Sequence, residues 1–348
     1  DFLFVDALND AGIRAFGPVA KAAEIESSKV FSKNLMKKYN IPTAGYEVFS
    51  DPEKAIAYIE EQNKFPTVIK ADGLALGKGV IIAQSLEEAK DAVKEIMEDK
   101  KFGESGNNVV IEEFLTGPEV SVLAFTDGKT LKPMISSMDH KRALDGDKGL
   151  NTGGMGTISP NPYYTDDMAE VCMKTIFMPT VEAMNKEGRP FKGCLYFGLM
   201  LTPDGPKVIE YNSRFGDPEA QVVLTLLDSD LVDIVNAVID EKLDQVDIKW
   251  SKDNAACIVM ASGGYPEAYK KGIEMDGFDE NGQVDGAVVF HAGTKFENGK
   301  FYTNGGRVIG VTAKGETLEK ALDNAYAAVE KISFDGAHYR KDIGRTRK

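Results

Sequence analysis

Three observations predict a mixed α+β or α/β protein built in three lobes. Apolar, β-branched runs of period two alternate with amphipathic helical patterns. The 348 residues exceed what one hydrophobic core usually organises. A glycine-rich hairpin pattern, 66–83, interrupts the first third of the chain. With 43% hydrophobic and 28% charged residues the composition is that of a globular chain, and no apolar run approaches the roughly 20 residues of a membrane span. The formal charge of −14 argues against a nucleic-acid surface, which needs a basic stripe. Cys172, Cys194 and Cys257 are scattered, and His140, His291 and His338 show no ligand spacing. That pattern predicts neither a disulfide framework nor a thiolate metal site, and fits a reducing cytoplasm.

The elements follow in order. Residues 1–8 begin inside a helical pattern with no cap before it, so the chain reads as a fragment. Residues 3–9 read as a helix closing at Gly12, and 13–16 as a short strand ending at Gly17-Pro18. A helix over 27–39 puts Val30, Phe31, Met36 and Tyr39 inward and Lys29, Lys33, Lys37 and Lys38 outward, and Ile41-Pro42-Thr43 stops it. Residues 44–115 read as a compact αβ unit: strand 46–49, a helix begun by Ser50-Asp51-Pro52-Glu53, the hairpin, a helix led by the capping box Ser85 to Glu88, and strand 109–115. Beyond it, strands 120–125 and 131–136 flank the turn Asp127-Gly128-Lys129. A polar, glycine-rich excursion over 139–161 is unusual in a compact domain unless it has a function. Helix 166–186, strands 194–202 and 207–212, and helices 219–227 and 231–242 come next. From about Trp250 a third unit carries strand 255–261, strand 287–291, hairpin 295–303, strand 308–312 and helix 318–332.

Several constellations carry chemistry. The hairpin holds Gly73, Gly77, Lys78 and Gly79 between strands, a loop whose bare N–H groups can approach an anion. Its spacing fits neither a Walker loop nor a dinucleotide fingerprint, because Gly79 follows Lys78 and a strand follows the loop. Lys70 ends the strand before it and is placed to offset a phosphate; Lys29 is weaker, since a helical lysine is usually solvated. Lys78 either meets a terminal phosphate or keeps the tip soluble. Glu112, Glu113, Phe114 and Leu115 end a strand between two lobes, where backbone groups become free for an adenine edge, and Glu119 could accept from ribose hydroxyls. A solvated face is the competing reading for the three glutamates. Glu210 and Asn212, two apart on a strand, share a face and offer hard oxygens suited to Mg²⁺, or else simply a polar strand end. Arg214 offers a planar fork to a carboxylate or a phosphoryl group. Asp217-Pro218-Glu219 reads as a helix start. Asp139-His140-Lys141-Arg142 and Asn151-Thr152-Gly153-Gly154-Met155-Gly156 bracket the excursion and suit an anionic second substrate, with a charged surface loop as the alternative.

Taken in order, the runs Val68-Ile69-Lys70-Ala71-Asp72-Gly73 through Val80, Ile111 to Leu115, Asp139 to Arg142, Asn151 to Gly156, Ile209 to Glu219 and Phe290-His291-Ala292-Gly293-Thr294 closely resemble the phosphoribosylamine-glycine ligase family of ATP-grasp enzymes. Asn304-Gly305-Gly306-Arg307-Val308 and Arg340-Lys341-Asp342-Ile343-Gly344 extend the likeness to the end of the chain. The resemblance implies an ATP-grasp fold: a catalytic lobe from 19–43 and 116–248, a small ATP-lid lobe over 44–115, and a C-terminal domain over 249–348. Residues 1–18 would be the remnant of an N-terminal αβ domain that is otherwise missing and that normally helps to bind phosphoribosylamine. It implies ATP held by Lys29, Lys70, Gly73, Gly77, Lys78 and Gly79, with Glu112, Glu113, Phe114 and Leu115 at the adenine and Glu119 at the ribose. Glu210 and Asn212 would hold Mg²⁺ or Mn²⁺. Asp139, Lys141, Arg142, Asn151, Thr152, Gly153, Gly154 and Arg214 would meet the substrates, with Arg214, Asp139 and Lys70 as catalytic groups. The reaction implied is ligation of glycine to 5-phosphoribosylamine through glycyl phosphate, in a cytoplasmic monomer or weak dimer without nucleic-acid or membrane partners. Two alternatives stand beside it: an ATP-grasp ligase or carboxylase acting on formate or bicarbonate, and a silent ATP-binding module. The Asp139 to Gly156 signature speaks against the first, and the intact Lys70, Glu210 and Asn212 against the second.

Overall fold

The computed structural model describes residues 3–73 and 79–345. In the strand Thr67–Ala71 all five residues are buried. Ile69 and Ala71 pack beneath the helices Pro52–Gln62 and Leu86–Val93, so Val68 and Lys70 must take the other face. That strand pairs with Val80–Ala83 on one side and Val109–Glu113 on the other, and Tyr46–Phe49 completes an antiparallel sheet of four. Asp51 caps the first helix through Glu53 N at 2.9 Å, and Ser85 caps the second through Glu88 N at 3.2 Å. These strands and helices make up one αβ unit with its own buried core. Gly77 and Lys78 lie outside the described residues.

A second antiparallel sheet runs Gly205–Asn212, Gly193–Thr202, Glu119–Thr126 and Leu131–Pro133. One face packs on the helices Ala20–Ser27, Lys29–Lys38 and Met178–Lys186, and the other on Glu219–Val223 and Leu231–Ile239. The register slips between Gly198 and Leu199, opposite Glu210. A Cβ at Gly198 would stand 3.1 Å from Glu210 Cγ, so the missing side chain makes room for that glutamate.

The third sheet runs Val288–His291, Arg307–Gly315, Asn254–Ala261, Gly156–Ser159 and Met138–Asp139, with the helix Leu318–Val329 on one face. Its last two strands come from the segment read as an excursion over 139–161. That segment is ordered: the hairpin Arg142–Leu144 with Lys148–Asn151 lies between the two strands. Residues separated by more than a hundred positions share this sheet, so a boundary at 249 divides the chain but not the sheet. A further small sheet runs Thr294–Glu297, Lys300–Thr303, Glu274–Asp276 and Ser333–Phe334. The ladders between strands are antiparallel, which makes the architecture α+β.

Three expectations need correction. Residues 13–16 form no strand; Phe16 instead stacks on Phe215 at 6.2 Å and meets Phe125 edge-on at 6.5 Å. The helix expected from residue 27 begins at Lys29, because Ser28 is extended and caps it, and a separate helix Ala20–Ser27 precedes it. Lys33, expected on the outer face, is 2% exposed. Among the described residues no helix is long and apolar enough to cross a membrane.

Candidate active site

Lys70 and Glu112 sit on neighbouring lid strands, Val68 being opposite Glu112 and Lys70 opposite Val110, so both side chains leave the same face. Lys70 Nζ lies 3.0 Å from Glu112 Oε2 and donates to Ile209 O at 3.3 Å. Lys33, reaching across from its helix, places Nζ 3.1 Å from the same oxygen and donates to Thr43 Oγ1 at 2.7 Å. Glu112 Oε1 is buried with no hydrogen-bond partner among the described residues. Glu112 is therefore no solvated strand end: its carboxylate is the centre of a buried charge cluster.

The base of the glycine loop is tied to the same helix. Lys29 Nζ donates to Gly73 O at 2.8 Å, and Asp72 Oδ1 accepts from Val30 N at 3.2 Å and Ser28 Oγ at 3.1 Å. Burial lowers the Lys29 ammonium from its ordinary value against the pull of Glu210. Gly73 has φ +120°, and a Cβ there would stand 2.5 Å from Ser105 Oγ. Gly79 O accepts from Ala71 N at 2.9 Å, closing the other side of the loop.

Facing this, Glu210 and Asn212 share one face of their strand, paired to Gly198 and Tyr196. Burial would raise the Glu210 carboxyl, but Lys141, Lys70 and Lys29 together hold it below its ordinary value. An ionised carboxylate and an amide oxygen on one face are hard donors that fit Mg²⁺, which needs few protein ligands when phosphates complete its shell. Arg214, exposed at the rim, donates from Nη2 to Asn212 Oδ1 at 3.4 Å and from Nη1 to Phe215 O at 3.0 Å, and Nε lies 3.4 Å from Glu26.

A small polar cavity beside Glu210 is lined by Glu119, Ser121, Asp139, Lys141 and Tyr196. Lys141 Nζ stands 3.4 Å from Glu119, whose carboxylate raises the ammonium well above its ordinary value. Burial, then Glu219, pushes Asp139 well above the usual carboxylate range, and its Oδ1 has no hydrogen-bond partner among the described residues. Gly154, at φ +115°, is the cradle: a Cβ would stand 2.6 Å from Asp139 Oδ1 and 2.5 Å from Pro218 Cδ. Thr152 donates from Oγ1 to Lys141 O at 2.8 Å, and Gly153 lies between Tyr265, whose hydroxyl accepts from its N–H at 3.1 Å, and Arg307, which donates to its carbonyl at 2.8 Å.

Other expected residues are placed apart. Arg142 and Asn151 pair across the hairpin, with the Arg142 guanidinium donating to Gly149 O at 2.9 Å, and no described contact joins either to Glu210. Glu113 is exposed and pairs with Lys207 at 3.0 Å; Phe114 is exposed and Leu115 half-buried at the strand end. Beside that end runs a groove of about 850 Å³ lined by Glu112, Glu113, Phe114, Thr43, Tyr46 and Lys64. Sequence reasoning missed Lys33, whose helical face was misjudged, and Glu219, which was read only as a helix start. Glu219 is buried and accepts at Oε1 from Tyr196 Oη at 3.0 Å and Ser121 Oγ at 3.3 Å. Its sequence signal was a second acid at the head of an otherwise apolar helix.

Comparison with known proteins identifies the family of the chain. The family model for phosphoribosylglycinamide synthetase, ATP-grasp (A) domain, matches residues 27–220, and that for its C domain matches 255–346. A phosphoribosylamine–glycine ligase of Clostridium acetobutylicum is 48% identical over 343 residues, covering 99% of this chain and 81% of the relative. The trifunctional purine biosynthetic protein adenosine-3 of Gallus gallus is 52% identical over 341 residues, but this chain spans only 34% of its length. Among solved structures, a phosphoribosylamine–glycine ligase from Thermotoga maritima superposes with a TM-score of 0.84 at 38% identity, covering 94% of this chain and 81% of that one. A biotin carboxylase domain from Hydrogenobacter thermophilus, at TM-score 0.75 and 17% identity, shares the fold alone. With the ATP-grasp model spanning more than half of the residues and the C-domain model most of the remainder, the chain belongs to the phosphoribosylglycinamide synthetase family.

Proposed function

We propose that this chain ligates glycine to 5-phosphoribosylamine at the expense of ATP, giving glycinamide ribonucleotide, ADP and phosphate. The observation that carries the reading is the cavity that Glu210 lines with Lys141 and Asp139, with Lys70 Nζ donating to Ile209 O, next to Glu210, at 3.3 Å and Lys29 Nζ holding Gly73 O at the loop base at 2.8 Å. Lys29 and Lys70 bind the phosphates, with Gly73 and Gly79 framing the loop over them. The strand end at Glu112 to Leu115 takes the adenine and Glu119 the ribose. Glu210 and Asn212 hold Mg²⁺ or Mn²⁺, which supplies neutralisation of phosphate charge when bound. A glycine carboxylate oxygen attacks the γ-phosphorus as ADP leaves, and the phosphoribosylamine nitrogen then attacks the acyl carbon, expelling phosphate and losing a proton. No protein nucleophile is required, because orientation and charge neutralisation supply the catalysis. Arg214 at the rim and Asp139 beside Gly154 orient the reacting carboxylate and the incoming amine, with Lys141, Thr152 and Gly153 shaping the pocket. The lobes divide as 19–43 with 116–248, 44–115 and 249–348, and the setting is the cytoplasm.

The test is ADP release with Mg-ATP, offering glycine, formate or bicarbonate, each with and without phosphoribosylamine. Release that requires both glycine and the amine supports the ligase, and Glu210→Ala is expected to lower it by about a hundredfold or more. Preference for formate or bicarbonate, or unchanged turnover in Glu210→Ala, would overturn it.

A further inference from the structure

Lys33 has no role in the reading above, yet it is the second ammonium of the buried cluster. Glu112 Oε2 receives Lys70 at 3.0 Å and Lys33 at 3.1 Å, and the three side chains are 4%, 6% and 2% exposed. Thr43 fixes Lys33 from the other side, accepting its proton at 2.7 Å and donating its own to Val208 O at 2.7 Å. Taking an ammonium out of water is costly, and a single lysine would already have balanced the one carboxylate. These three side chains instead sum to one net positive charge, turned towards Glu210. Positive charge left on Lys70 beyond what Glu112 offsets is open to the Glu210 side, where an anionic phosphate would approach.

The two lysines come from different lobes. Lys33 belongs to the helix Lys29–Lys38, Lys70 and Glu112 to the lid sheet. Without Lys33, Glu112 and Lys70 would make a neutral pair and the pull of Lys70 on a phosphate would be largely cancelled. We infer that Lys33 is a positioning residue for the nucleotide: by sharing Glu112 it leaves the charge of Lys70 available to an anionic phosphate. The inference rests on the ATP reading above, but needs no turnover to be tested.

The experiment is calorimetric binding of ADP and, separately, of uncharged adenosine to the full chain. Lys33→Met is expected to weaken ADP about tenfold while adenosine stays within about twofold of wild type, since only the phosphates feel the lost charge. Lys33→Arg should retain ADP affinity. Adding Glu112→Gln to Lys33→Met should restore the ratio of ADP to adenosine affinity, because Lys70 is then no longer neutralised and any effect of Glu112 on the adenine is common to both ligands. Should Lys33→Met not fold, Lys33→Gln carries the same expectation. The inference is overturned if the variant binds ADP as wild type does, or if it loses ADP and adenosine equally, which marks a structural role only. A wild type that binds adenosine but not ADP overturns the ATP reading itself, and this inference with it.

Discussion

At the scale of the residue, His140 shows how a motif histidine can be spent on architecture. Its Nδ1 faces Gly156 O at 3.2 Å and Nε2 faces Gly344 N at 3.1 Å, so the ring donates on one side and accepts on the other, which only the neutral form does. Burial, reinforced by Arg340, lowers its pKa from 6.5 to about 4. Between those values the unfolded chain binds a proton that the folded chain refuses, so stability is lost as pH falls from 6.5 towards 4, amounting to about 3 kcal/mol in full. His140→Gln should flatten that part of the curve, measured as the difference in urea midpoint between pH 7 and pH 4.5. A wild type and variant with parallel curves would contradict it. Lys33 was illegible for a related reason: the helical pattern shows which residues can face inward, not which lysine finds a buried carboxylate there.

At the scale of the element, the Gly153-Gly154 turn and the helix Lys29–Lys38 carry the site. Gly154→Ala would force a side chain into Asp139 and Pro218 at a backbone angle L residues rarely adopt. It is expected to cost roughly 2 kcal/mol or more and to abolish detectable ligase turnover. Gly146→Ala, also at positive φ (+70°) but with Lys148 Cε at 3.8 Å as its nearest atom, isolates the backbone cost from the clash and is expected to be milder. The helix is capped twice, by Ser28 Oγ accepting from Phe31 N at 3.0 Å and by Asp72 from the lid. Asp72→Ala should remove about 1 kcal/mol and speed amide exchange at Val30, read by hydrogen exchange. Exchange unchanged at Val30 would show the lid-borne cap to be idle. The helix was legible in its pattern; its second cap, 42 residues away in the chain, was not.

At the scale of the whole molecule, the last residues described secure the hairpin Arg142–Leu144 with Lys148–Asn151. Arg340 is fully buried, with Nη1 on Asp147 at 2.9 Å and on Arg142 O at 3.1 Å, and Nε on Asp342 at 2.8 Å. Asp342 in turn accepts from Gly146 N at 2.8 Å, and Lys341 N donates to Asp145 at 2.8 Å. Arg340→Met takes the buried guanidinium from Asp147, Asp342 and Arg142 O and is expected to cost about 3 kcal/mol, seen as a fall in thermal midpoint together with exposure of residues 142–151 to protease. A stable variant with a protected hairpin would refute this.

What the sequence by itself determined is the order and type of most elements, the hairpin strands on either side of the glycine-rich segment, and the shared face of Glu210 and Asn212, because these rest on local periodicity and on spacings of two to a few residues. The resemblance supplied the family from the same short runs. What only the tertiary structure decided is which charges meet. Lys33 and Lys70 come together on Glu112, Lys141 is drawn to Glu119, and Asp139 feels the buried Glu219, through contacts that join residues some twenty to eighty positions apart. The excursion over 139–161 became strands of the C-terminal sheet for the same reason. A strand exists only by virtue of its partner, and here the partner, Asn254–Ala261, lies about a hundred residues on. Local pattern can propose such pairings, but burial and electrostatics at a distance select among them.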